Sequence, residues 1–113
     1  MPLPFLDRAE VSSAKIRDYL LNPEHPVGAA KARFFASLGF HRARWPELRA
    51  ALLIHAAAGE VHALPPDEFG QRYIVRGTIK GPTGTTASLL AVWILTDLAA
   101  RPRLITAYPE ESR

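Results

Sequence analysis

The chain has 113 residues, 48% hydrophobic and 22% charged, with a formal charge of +3 and no cysteine. That balance fits one domain over residues 1–113 with a core of its own, and it excludes a disordered tail or a fibre. Without cysteine there is no disulfide scaffold, thiolate metal site or cysteine nucleophile, and the cytoplasm is the expected compartment.

The opening MPLPFLDRAEV lacks a basic region followed by an apolar run, and no segment has the apolar length to cross a bilayer, so neither a leader nor a membrane partner is expected. Residues 3–11 read as an edge strand. Ser12 or Ser13 then caps a short helix to about residue 21, with Ile16, Tyr19 and Leu20 as its apolar face. Pro23 and Pro26 stiffen the next loop and push Asn22 and His25 toward extended backbone. A second helix is predicted over residues 27–38, closed by Gly39 with Phe40 as the following apolar contact. Pro46 suits the first turn of a third helix, which runs to Ala58 and stops at Gly59.

From Phe69 the period changes to two, with Tyr73, Val75 and Ile79 on one face and Arg72, Ile74, Arg76 and Thr78 on the other. Residues 81–84, GPTG, make a turn. Residues 87–95 are apolar at both parities, as in a central strand covered on both faces. A loop is expected over residues 96–102 and a short strand over 103–108. The fold class is therefore α+β: about three N-terminal helices packed on an antiparallel sheet of three or four strands.

The stretch NPEHPVGAAKARFF, residues 22–35, concentrates the chemistry. Gly28 and the residues after it open a helix whose unpaired N–H groups can hold an anion. His25 precedes it, either as a general acid/base or as a loop residue capping a backbone group. On a helical wheel Lys31 falls among Val27, Phe34, Phe35 and Leu38, where an ammonium needs an anion or must reach along the core to water. His55 shares a face with Leu48 and Leu52 and reads as a hydrogen-bonded core histidine. Leu104, Thr106 and Tyr108 share a face by the strand period, which aligns two hydroxyls that are also ordinary strand residues. Arg72 and Arg76 line one strand face and can contact phosphate oxygens.

The positive excess lies in residues 1–58, with eight Lys/Arg against five Asp/Glu, while residues 59–113 hold six of each. This favours a polyanion partner. No metal-ligand spacing, P-loop or dinucleotide fingerprint occurs, so no metal and no cofactor are expected.

The segments NPEHPVG at 22–28, KARFF at 31–35, LGF at 38–40, VWI at 92–94 and LITAYP at 104–109 resemble an uncharacterised small bacterial domain family. Its members are found alone and at the C-termini of large secreted polymorphic toxins. In its order of helices followed by a meander, that family is more distantly similar to the metal-independent ribonuclease toxins related to barnase, EndoU, colicins and RelE. The resemblance implies His25 as general acid/base, Lys31 as the cation on the phosphorane, Arg72 as a phosphate contact, and Thr106 with Tyr108 as hydroxyl donors. Gly28 and Arg76 would contact substrate. The implied reaction is RNA cleavage by the ribose 2′-hydroxyl, with a small inhibitor or immunity protein as partner. Ala29 and Ala30 depart from the more polar residues expected there, which implies either weaker substrate contact or no catalysis at all. The alternatives are a noncatalytic protein-interaction module, as a homodimer or as the partner of a small neighbouring protein, and an enzyme acting on another phosphate ester.

Overall fold

Ser12 starts the helical layer by accepting the Lys15 N–H on its side-chain oxygen at 3.0 Å. The computed structural model describes residues 2–96 and 99–110. Helix α1 (Ser13–Lys15) runs directly into a π-helical turn over Ile16–Leu20, where the Leu21 N–H reaches the Ile16 carbonyl. Ile16 and Leu20 are fully buried by this turn, and Tyr19 is left half-buried at its side.

Helix α2 (Ala29–Ser37) begins two residues later than the periodicity predicts, because residues 26–28 form turns and Val27 points outward, 66% exposed. Its end follows the expected chemistry. Gly39 takes φ +95, its N–H meets the Ala36 carbonyl, and the Phe40 N–H meets the Phe35 carbonyl, a Schellman closure with the two rings 6.2 Å apart. Helix α3 (Trp45–Ala58) carries Pro46 in its first turn and buries Leu48, Leu52, His55 and Ala56.

Four strands follow as a meander in the order β1-β2-β3-β4, all antiparallel: β1 (Glu60–Ala63), β2 (Gln71–Lys80), β3 (Thr86–Thr96) and β4 (Ala99–Pro109). The α+β expectation of helices on an antiparallel sheet therefore holds. Strand β1 is too short and polar to stand out in the sequence, and pairing with β2 is what defines it. On the covered face, Tyr73, Val75, Ile79, Leu89, Ala91, Trp93, Leu104 and Ala107 share one core with Ile16, Leu20, Phe35, Leu48 and Leu52.

Three expectations are corrected. Residues 3–11 are not a strand: they contain a 3-10 turn, Leu6–Arg8, and join the sheet only where Glu10 bridges Arg103 in parallel sense. Of the loop expected over residues 96–102, Thr96 still belongs to β3 and residues 99–102 already belong to β4, while 97–98 lie outside the described residues. Pro102 is tolerated there because β4 is an edge strand, and its carbonyl still accepts the Glu10 N–H at 2.8 Å. Finally, Leu104 pairs with Trp93 whereas Thr106 pairs with Val92, so Ile105 is an extra residue in β4. This bulge places Leu104 on the covered face and Thr106 with Tyr108 on the other, and the three do not share a face as the strand period had implied.

Candidate functional site

The loop ahead of α2 is closed by the imidazole of His25. Its Nδ1 accepts the N–H groups of Val27 at 3.0 Å and Gly28 at 2.9 Å, while its carbonyl accepts the Ala29 N–H. This is the bonding of an N-cap, with a ring nitrogen in place of the usual side-chain oxygen and Pro26 in the first position, where no N–H is required. The amides expected to be open to an anion at Gly28 are thus satisfied by His25. Accepting at Nδ1 places the proton of the neutral ring on Nε2, which is left for another partner.

Gly28 has a second role. A Cβ there would lie 2.4 Å from the Tyr19 carbonyl oxygen and 3.0 Å from its ring, so glycine is what lets the start of α2 rest on Tyr19. The His25 ring then meets the Tyr19 ring edge-on at 5.0 Å. Lys31, one helical turn further on, sets its ammonium 5.1 Å from the centroid of the same ring, and Lys15 sets a second at 5.0 Å. The Tyr19 hydroxyl lies 3.4 Å from Thr106 Oγ1, because β4 is bulged and at the edge, within reach of the helical layer.

Tyr19 is accordingly the centre of the cluster. Burial pushes its phenol up, but the Lys31 ammonium as donor and charge, the Thr106 hydroxyl and the charge of Lys15 together hold it below the ordinary tyrosine value. Neither ammonium has a carboxylate partner among the described residues. Two half-buried cations over one ring favour an anion beside them.

The sequence candidates therefore divide. His25, Lys31 and Thr106 meet at Tyr19, with Gly28 beneath. Tyr108, Arg76 and Arg72 lie on the sheet face opposite the main core: Tyr108 pairs with Leu90, which pairs with Arg76, and Arg72 pairs with Ile94. Both arginines are already engaged, Arg76 with Glu110 at 2.6 Å and Arg72 with Asp67. The sequence pattern places Tyr19 on the apolar face and gives Lys15 no role. The signal was the four-residue spacing between them, which stacks both on one side of a helix.

A hollow of about 290 Å³ adjoins this cluster through Lys15. It is bounded by Glu10 and Ser12 on one side and by Ile94, Arg103, Leu104 and Ile105 on the other.

Comparison with known proteins gives two matches. A family model described as "Domain of unknown function (DUF6883)" matches residues 2–111. A solved structure described as a contact-dependent growth inhibition toxin–immunity protein complex from Klebsiella pneumoniae 342 contains a chain of the same fold. The match has a TM-score of 0.63 at 18% identity, covering 95% of this chain and 97% of that one. No curated protein matches.

Proposed function

The chain belongs to the DUF6883 family, and from that footing we propose that it is a toxin-like domain that cleaves RNA through attack by the ribose 2′-hydroxyl, with an immunity-type protein as its inhibitor. The single observation that carries this reading is the pair of ammonium groups, Lys15 and Lys31, over a phenol whose pKa they lower. The shared fold with a chain of a toxin–immunity complex supports the toxin-like part of the reading and the choice of partner.

In this reading Tyr19, as phenolate, takes the proton of the 2′-hydroxyl. The 2′ oxygen then bonds to phosphorus and Lys31 holds the added negative charge of the phosphorane. The bond to the 5′ oxygen breaks, that oxygen takes a proton from water, and a cyclic phosphate remains. His25 fixes the start of α2 through Nδ1 and offers Nε2–H to a phosphate oxygen, so proton abstraction passes from His25 to Tyr19. Thr106 orients the phenol. Arg72, Arg76 and Tyr108 serve at most to guide the strand across the opposite sheet face.

Total RNA incubated with the protein in EDTA tests the reading. Tyr19→Phe is expected to lower cleavage by a factor of about 10²–10⁴, the usual contribution of a positioned proton-transfer group, and Lys31→Ala by about 10²–10³, the usual loss when one donor to developing charge is removed. Cleavage unchanged in both variants would remove the cluster from the chemistry.

One further observation favours the noncatalytic alternative. An apolar groove of about 430 Å³ lies between α3 and β2, lined by Phe40, Ala50, Ala51, Ile79 and Pro82, with Ile54 68% exposed at its rim. Absence of cleavage by the wild type, together with a dimer that Ile54→Lys dissociates in sedimentation experiments, is the result that selects this alternative.

A further inference from the structure

The hollow at the edge of β4 has a chemistry of its own. Lys15 and Arg103 both line it, and neither has a carboxylate partner among the described residues. The acid in its wall, Glu10, is engaged by Arg101 at 3.3 Å. The Ser12 oxygen accepts the Lys15 N–H, which leaves its hydroxyl proton to donate into the hollow. Ile94, Leu104 and Ile105 supply an apolar wall. A cavity with two unmatched cations, a hydroxyl donor and an apolar side fits one phosphate with its sugar or base, and about 290 Å³ is the size for one such unit.

Lys15 belongs to this hollow and to the Tyr19 cluster alike. Resting on the ribonuclease reading above, we propose that the hollow is a second phosphate subsite, holding the nucleotide next to the scissile one between Lys15 and Arg103. The substrate is then a single-stranded RNA segment lying along the β4 edge, and a lone dinucleotide fills only half of the site. An edge strand suits this use: among the described residues the backbone pairing on the outer side of β4 is the Glu10 bridge at Arg103, beside the hollow.

The test compares a labelled oligoribonucleotide with a dinucleotide, both methylated at every 2′ oxygen so that they bind without being cleaved. The wild type is expected to prefer the oligonucleotide. Arg103→Gln is expected to lose roughly tenfold in oligonucleotide affinity, as for a charged hydrogen bond. It should also reduce the slope of log K against log salt by about 0.7, the value for one contact on a single strand. Arg103→Lys should recover most of both. If Arg103→Gln binds the oligonucleotide as tightly and with the same salt slope as the wild type, the subsite is overturned, while RNA cleavage that depends on Lys31 leaves the ribonuclease reading standing. Failure of the wild type both to bind and to cleave RNA overturns the two together.

Discussion

A phenol ring contacted by two ammonium groups, an imidazole edge and a threonine hydroxyl differs chemically from the same ring in a core. The cations and the Thr106 hydroxyl favour the phenolate more than burial disfavours it. The imidazole contributes geometry, because its Nδ1 is fully used in holding the first turn of α2. That division of labour can be separated by substitution. His25→Ala should lose about 1 kcal/mol of stability in denaturant titration, the usual cost of a lost cap, and His25→Asn should restore it through its side-chain acceptor. RNA cleavage should stay low in both, since neither supplies the Nε2–H beside Tyr19. Equal instability of the two variants would mean that capping is not what His25 does. His25 and Lys31 were legible in the sequence because each stood where its type was out of place, a histidine between prolines and a lysine in an apolar stripe. Tyr19 was not legible, because a tyrosine beside Ile16 and Leu20 looks like core until the fold shows what surrounds it.

Between elements, the fold depends on close approaches that only glycine permits. Gly28 does this for α2 against Tyr19, and Gly81 does it for the β2–β3 turn against the end of α2. A Cβ at Gly81 would fall 1.8 Å from the Leu38 carbonyl oxygen, which is backbone and has no room to retreat. At Gly84 there is open space and the only penalty is φ +89. Gly81→Ala should therefore destabilise by about 1–3 kcal/mol or more, as overpacking does, and Gly84→Ala by only about 1–2 kcal/mol, the cost of a left-handed alanine. Thermal unfolding of the pair checks the order, and a reversal would show that the turn and α2 are not held together there. The helix ends were readable because Gly39, Pro46 and Gly59 act locally. The bulge at Ile105 was not, since an extra residue in a strand leaves no mark on alternation until its partner is known.

Across the whole molecule, helices cover one face of the sheet, and the most buried charged or titratable side chain among the described residues, His55, lies between them and it. It is 1% exposed, its Nε2 stands 2.9 Å from the Leu89 carbonyl, and burial holds its pKa below the ordinary imidazole value against the pull of the Leu89 and Gly77 carbonyls. The unfolded chain then takes up a proton that the folded chain refuses. Stability from this group is complete above about pH 6.5, the unfolded imidazole value. It falls as the pH drops below that, by at most about 1.4 kcal/mol per unit. His55→Gln keeps a donor for Leu89 and should flatten that dependence in denaturation curves taken between neutral and mildly acid pH. An unchanged slope would place the acid sensitivity elsewhere.

The sequence by itself determined that helices precede an antiparallel sheet, the glycine and proline ends of α2 and α3, the central strand and the core histidine, because each rests on neighbours within a few residues. Only the tertiary structure decided that Tyr19 gathers Lys15, His25, Lys31 and Thr106, that Arg72 and Arg76 are occupied on another face, and that a hollow opens beside Lys15. Those relations join residues as far apart as Tyr19 and Thr106, and local pattern carries no information about which distant side chains a fold brings within reach of one another.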